Sequence, residues 1–419
     1  MTVTAVSPSV NSLGLGLLRQ PAAVIFGPGQ RHQLPHILRD IGLRVLLCTD
    51  QRMEQDPVFG DLVASTRAQG LDVSVFSRID PDLPRANLLD LVETYPVGSF
   101  DVLVGIGGGS VMDFAKVASI LLARGGDVQE LYGENIVDGP GLPLVTVPTT
   151  AGTGAEVTCI SVVYDPDKEM KVGVASPYLE PTVALIDPEL TLTCPPGLTT
   201  ATGSDALSHL VEAFTARAKN PTAADIETHL YVGKNRLADL YCRNGFALVN
   251  TSYERMVADP SDIEARSDTM MAAFNGGMAI NTAGTAGAHA IQSPIGALTH
   301  TPHGLGVGAL LPYVMRYNLP AREQEFAELG RLFGVIAGQE SLTSQARAGV
   351  LRVDELLRTI GCPLNLRALG LEPRDFTFVA SQAMLATRLT ANNPRELTKD
   401  VIVEILHRGY EDDKTWWNA

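Results

Sequence analysis

Asp101-Val-Leu-Val-Gly105-Ile-Gly107-Gly108-Gly109-Ser110 is a buried-strand pattern that runs straight into glycines, and the helical pattern after it carries Asp113 and Lys116. Strand, glycine turn and helix in that order form one unit of a parallel α/β sheet, because returning the chain for another parallel strand takes a helical crossover. The unit recurs outward from this stretch. Candidate strands at 22–26, 44–49, 71–76 and 144–147 alternate with helical spacing at 31–41, 57–69 and 110–123. Residues 157–164 look extended and are expected to form a hairpin-like flap, with 182–186 as a last strand. After Pro195-Pro196 the character changes, and 198–409 reads as amphipathic helices punctuated by Gly, Pro or Asn. The expected organisation is an α/β domain over residues 1–195 and an all-α domain over 196–419.

Size and composition agree with two cores. Single cores stop growing near ~250 to 300 residues, and the chain has 419, with 45% hydrophobic and 19% charged residues. A formal net charge of −15 would repel phosphates, so no nucleic-acid partner is expected. The first twenty residues lack a charged start followed by an apolar block, and no later segment offers ~18 uninterrupted apolar residues, so no membrane association and a cytoplasmic location are expected. Cys48, Cys159, Cys194, Cys242 and Cys362 are odd in number and lack CxxC spacing, which points to buried reduced thiols rather than disulfides or a thiolate metal site.

The glycine stretch is either a diphosphate cradle or a plain tight turn. Gly107 and Gly108 let backbone amides approach a pyrophosphate, and the next helix start presents unpaired N–H groups near Ser110. The spacing departs from G-x-G-x-x-G, since Ser110 stands where the third glycine would fall. A second stretch, Val147-Pro-Thr149-Thr150-Ala-Gly152-Thr153-Gly154-Ala-Glu156, follows a strand and offers hydroxyls for a phosphate or carboxamide, or else forms a capped turn. Asp50, after the 44–49 strand, is placed to accept from both hydroxyls of an adenine ribose and would repel a 2′-phosphate, which favours NAD over NADP. Its bland alternative is a helix N-cap.

In the second half, Asp205 and His209 are four apart on a helical pattern, hence on one face one turn apart. They are two ligands to one cation or an ordinary surface pair. His289 lies in an apolar, Gly-rich run, and His303 follows Pro302. Pro294 and Gly296 are expected to break the helix between them, leaving the two imidazoles on successive helices. Three imidazoles and one carboxylate suit a divalent metal such as Fe(II) or Zn(II).

Taken in order, Gly105-Ile-Gly-Gly-Gly-Ser-Val-Met-Asp-Phe-Ala-Lys116, Pro148-Thr-Thr-Ala-Gly-Thr-Gly-Ala-Glu156, Ala201-Thr-Gly-Ser-Asp-Ala-Leu-Ser-His-Leu-Val-Glu-Ala213 and Pro302-His-Gly304 make nearly the whole chain resemble the iron-containing, group III alcohol dehydrogenase family. The resemblance implies the dehydroquinate synthase-like fold, an N-terminal dinucleotide-binding domain plus a helical metal-binding domain, with the reaction in the cleft between them. It implies Asp205, His209, His289 and His303 as metal ligands and catalytic site. It implies Asp50, Gly107, Gly108, Ser110, Asp113, Thr149, Thr150, Thr153 and Lys171 as cofactor residues. The expected activity is NAD-linked oxidation of a small or medium alcohol, or reduction of its aldehyde, by a homodimer.

Many relatives carry a further His four positions after the third ligand. Here that place is Ser293, so the imidazole that assists proton exchange in those relatives is replaced, with water, Ser293 or His300 as substitutes. Ala297, Leu298 and Phe274 are candidates to line an apolar pocket or to sit in the core. A hydroxyacid–oxoacid transhydrogenase, a maleylacetate-reductase-like oxidoreductase, a non-redox dehydroquinate synthase-like enzyme and a binding module that has lost the reaction are the competing readings on this fold.

Overall fold

The computed structural model describes residues 15–417 apart from Glu169. Most of the N-terminal stretch discussed above therefore lies outside the described residues. Nine strands are present among them: β1 (Ala23–Phe26), β2 (Arg44–Cys48), β3 (Asp72–Phe76), β4 (Val102–Gly107), β5 (Gly133–Glu134), β6 (Leu144–Pro148), β7 (Ile160–Asp165), β8 (Met170–Ala175) and β9 (Val183–Ile186). Six of them make one sheet in the order β1-β9-β6-β4-β2-β3, with every pairing parallel.

The two central strands, β4 and β6, are buried along their whole length, as parallel strands covered on both faces must be. Alternation then sorts side chains to two layers. Val45, Leu47, Val102, Val104 and Ile106 pack with Leu38 and Leu62 of the helices Leu34–Ile41 and Pro57–Ala68. Leu46, Cys48 and Leu103 face the opposite way, against Leu88 and Phe114 of the helices Arg85–Thr94 and Gly109–Arg124. The strand order reverses between β2 and β4, and ligands bind open α/β sheets outside the strand ends at such a switch point. Asp50 and the Gly107–Gly108 turn follow those two strands.

The flap is shorter than expected. The stretch 157–164 opens with a 3-10 turn, Ala155–Val157, and pairing begins at Ile160, where β7 meets β8 antiparallel. The 182–186 strand is β9, inserted between β1 and β6 in the main sheet.

From Pro196 onward the described residues form helices around one apolar core, which runs from Leu207 to Leu406. One expectation fails here. Pro294 lies inside an unbroken helix, Gly287–Thr299, and the break comes at His300, which caps it in the left-handed region at φ 54°. Proline removes one helical N–H and leaves the carbonyl four residues back without its donor. Both Ala290 and Pro294 line the cleft while being buried themselves, and packing of the helix against its neighbours carries it through the proline. The tail packs back on the domain, with Trp416 stacked on Tyr317 and the Arg316 and Arg347 guanidinium groups over Trp417. All five cysteines are free and buried.

Candidate metal centre and cofactor cleft

The helix Pro196–Thr215 is buried from Ser204 to its end and carries Asp205, His209 and Glu212. Spacings of four and then three put these side chains on one stripe. Two further helices bring the remaining imidazoles to it. His303 is the first residue of His303–Asn318, and Gly304 lets that helix start press against the Asp205 helix, since a Cβ there would lie 2.0 Å from the Ala201 carbonyl oxygen. His289 sits in the first turn of Gly287–Thr299.

Asp205 Oδ1 is the hub. It lies 3.5 Å from His209 Nε2, 3.6 Å from His289 Nε2 and 3.7 Å from His303 Nε2. Two ligand atoms, each ~2.1 Å from a tetrahedral cation, are about 3.4 Å apart, so the spacing matches one coordination shell. The donor atoms of Asp205, His209 and His289 all lie within 4.8 Å of one another, and His303 stands outside that group, joined to it through Asp205 Oδ1. Asp205 Oδ1 and His289 Nε2 are buried without any hydrogen-bond partner. Buried polar atoms in that state cost free energy unless something satisfies them, and a carboxylate between imidazoles is what a divalent cation satisfies. The residues present therefore fit the divalent metal that the resemblance implies.

Glu212 sets the orientation of His289. One of its oxygens lies 2.6 Å from His289 Nδ1 and accepts the Ala286 N–H at 2.9 Å, and the other accepts the Ala288 N–H at 2.6 Å. It thus supplies the acceptor that the helix start lacks, and holds the ring so that Nε2 faces Asp205, the carboxylate–histidine–metal pattern. Burial would lower the His289 pKa, but Glu212 and Asp205 outweigh it and raise it to about 9. A proton and a cation thus compete for the same nitrogen. Burial pushes Asp205 upward, yet His209, His289 and His303 hold it well below the usual carboxylate range. His303 is the accessible member, its side chain 37% exposed against 5–8% for the other three.

A cleft of about 710 Å³ runs from these ligands to the start of the Gly109–Arg124 helix. On its sheet side lie Ser110, Asp113, Thr153 and Lys171, four of the expected cofactor residues. Asp50, Gly107, Gly108, Thr149 and Thr150 do not line it. Asp50 is the N-cap of a short helix and accepts the Met53 N–H at 2.8 Å. Thr149 is fully buried with an unpartnered hydroxyl, and Thr150 is buried as well. Gly107 packs so close to the following helix that a Cβ would meet Val111 at 2.6 Å.

The residues on the sheet side are tied to one another. Ser110 Oγ accepts the Asp82 N–H, and Lys171 Nζ lies 2.6 Å from Asp82 Oδ1. Asp113 accepts the Val162 N–H at 2.9 Å, while Lys116 donates to Thr158 and to the Ile160 carbonyl, so the pair clamps the flap to the helix after the glycines. Burial raises the Asp113 carboxyl to about 6. Gly154 meets the helical half directly: its φ is +62°, and a Cβ on it would lie 2.4 Å from Gly277 Cα. The small residues of that turn thus serve close packing of the two halves.

Among the other candidates, Ser293 and Ala297 border the cleft. His300 is exposed outside it, Leu298 is 43% exposed, and Phe274 packs against Tyr241. Two contributors were missed in the sequence. Glu212 had a usable signal, since it stands on the same helical stripe as Asp205 and His209. Asp82 had none, because its left-handed backbone, φ 65°, is a property of the folded loop.

Comparison with known proteins places these features. Residues 21–188 match the family model described as iron-containing alcohol dehydrogenase, and residues 199–410 match that of the Fe-containing alcohol dehydrogenase family, C-terminal. The chain is 31% identical to the NAD-dependent methanol dehydrogenase of Bacillus methanolicus over 387 residues, covering 92% of this chain and 97% of that one. It superposes on the crystal structure of 1,3-propanediol oxidoreductase with a TM-score of 0.88 at 29% identity, over 94% of this chain and 100% of that one. With the alcohol dehydrogenase from Oenococcus oeni the TM-score is 0.87 at 30% identity, with the same coverage.

Proposed function

We propose, since the chain belongs to the iron-containing alcohol dehydrogenase family, that Asp205, His209, His289 and His303 hold one divalent ion, Fe(II) or Zn(II). The chain is a metal-dependent, NAD-linked oxidoreductase acting on CH–OH groups. The observation that carries the site assignment is the convergence of three imidazole Nε2 atoms on one buried, unpartnered carboxylate oxygen, at the end of a cleft that also reaches the glycine loop. When bound, the ion supplies Lewis acidity toward a hydroxyl or carbonyl oxygen, and the nicotinamide accepts or returns the hydride.

The chain's own residues do the positioning. Asp205 brings the one negative charge to the ligand set, Glu212 holds His289 in the tautomer that leaves Nε2 free, and His303 borders the accessible side. Ser110, Asp113, Thr153 and Lys171 hold the dinucleotide from the sheet side, with Gly107, Gly108, Thr149 and Thr150 shaping the backbone beneath it. Asp50, fixed as an N-cap after β2, keeps a free oxygen for ribose hydroxyls and repels a 2′-phosphate, which favours NAD over NADP. Ser293, one turn after His289 and bordering the cleft, offers a hydroxyl for passing a proton to water in place of the relatives' imidazole.

The division at Pro195 and a homodimer belong to the same reading. β1 is an edge strand with its first two residues exposed, the kind of edge a second copy covers. No helix is long and apolar enough to cross a membrane among the described residues, in keeping with a cytoplasmic enzyme. A polyanionic sugar-acid substrate, as for a dehydroquinate synthase, is disfavoured because among the described residues Lys171 and Arg388 are the only Lys or Arg side chains lining the cleft, and Lys171 is paired with Asp82.

The test joins elemental analysis of protein purified without added metal to nicotinamide absorbance with a panel of alcohols and aldehydes. One equivalent of metal and stoichiometric NADH are expected. Full turnover after chelation to a metal-free state would overturn the reading.

A further inference from the structure

We propose that Arg388 recognises an anionic tail, so that the substrate is an alcohol or aldehyde carrying a carboxylate, or an oxyanion like it, at the end remote from the reacting carbon. This rests on the dehydrogenase reading above and names its substrate class.

Arg388 lies on the short helix Thr387–Asn392 and lines the same cleft as the metal ligands. Its guanidinium carbon stands 4.4 Å over the ring of Tyr231, itself only 6% exposed. A guanidinium held over a buried ring by cation–π attraction keeps its N–H donors available, and these can take an oxyanion through two parallel hydrogen bonds. Among the described residues it has no carboxylate within ion-pair distance and donates no hydrogen bond, whereas Lys171, the other cation of the cleft, is occupied by Asp82.

The helix that carries Arg388 is tied to the metal corner. Asn392, one turn further along, donates to the Ala283 and Thr285 carbonyls at 2.9 and 3.0 Å, just ahead of the helix that carries His289. Burial, and then the charge of Arg388, push the Lys219 pKa down, with Glu134 pulling the other way. The nearby carboxylate, Glu134, spends Oε1 on the Leu230 N–H. Phe378 and Leu385 also line the cleft and are 51% and 59% exposed, giving methylene groups an apolar surface beside the cation.

The experiment compares 4-hydroxybutanoate with 1-butanol in the metal-loaded, NAD-saturated protein, for the wild type and Arg388→Leu. The wild type should prefer the carboxylate in kcat/KM, and the substitution should lower that ratio about 10- to 100-fold, the usual consequence of leaving a charged group without its partner. Arg388→Lys should restore part of it. Calorimetric titration with glutarate reads the same contact without turnover, and its affinity should fall about 10-fold in Arg388→Leu. An unchanged ratio together with unchanged glutarate affinity overturns the proposal. Absence of turnover with either alcohol would count against the dehydrogenase reading alone, because the glutarate titration still decides the role of Arg388.

Discussion

The two walls of the cleft are built on opposite principles. On the helical wall, Asp205 Oδ1 and His289 Nε2 are buried and left without partners, held at ion-binding separation by packing and by Glu212. On the sheet wall, Ser110, Asp113, Thr153 and Lys171 already have partners within the chain. A wall with unmet polar atoms depends on its ligand for stability, whereas a self-satisfied wall only docks one. Metal removal should therefore destabilise the protein, and cofactor removal should cost little.

The largest expected effect tests that division at its hub. Asp205→Ala should abolish stoichiometric metal in elemental analysis and lower turnover by at least about 10³-fold, with NAD affinity in fluorescence titration nearly unchanged. Retained metal would mean that the imidazoles alone define the site. Next, Glu212→Ala should weaken metal affinity about 10- to 100-fold and cost roughly 2 to 4 kcal/mol of stability, because two helix-start N–H groups and an imidazole lose their acceptor. Glu212→Gln sharpens the point. Its carbonyl oxygen can still accept from the helix start, while its amide N–H meets His289 Nδ1 and favours the wrong tautomer, so stability should recover further than metal affinity. Recovery of both together would make Glu212 a helix cap and nothing more.

The contact between the walls comes third. Gly154→Ala should cost about 2 to 4 kcal/mol in denaturant unfolding, since it adds a methyl against Gly277 at positive φ. Gly60→Ala, in an exposed helix position with nothing within 4 Å, should instead stabilise by about 0.5 to 1 kcal/mol. Equal effects would show that the interface yields easily.

The smallest effect concerns pH on the sheet side. Burial raises the Glu156 carboxyl to about 7 from an ordinary 4.5. The folded state then keeps a proton that the unfolded chain has released, so the stability from this group is greatest below pH 4.5, declines as pH rises toward 7, and stays lost above it. Glu156→Gln should remove that slope and stabilise the protein at pH 8 by on the order of 1 to 3 kcal/mol, less whatever Lys116 recovers from the charged form. A wild type whose stability rises between pH 5 and 7, with no change in slope in the variant, would contradict this.

Much of the framework was legible because its signals are local. The 101–110 stretch, the five alternating strands and the Asp205/His209 spacing follow from periods of two and 3.6, which a chain carries wherever it folds. Glu212 was legible in the same way and went unread. The Pro294 misreading has the opposite cause: whether a proline ends a helix depends on how strongly the rest of the helix is held by tertiary packing, which the chain's local pattern does not carry. Asp50, Thr149 and Thr150 do not line the cleft, Asp50 serving as a helix N-cap and the two threonines being buried, a placement that local pattern does not carry.

From the sequence alone came the residue types, the helical phase that aligns Asp205 with His209, and the change from alternating α/β to helix near Pro195, since each depends on neighbours along the chain. The tertiary structure decided which distant groups meet: His289 and His303 around Asp205, Glu212 beneath His289, Gly154 against Gly277, and Arg388 over Tyr231. Those meetings depend on how whole helices pack, and no spacing along a chain encodes the distance between two surfaces that packing brings together.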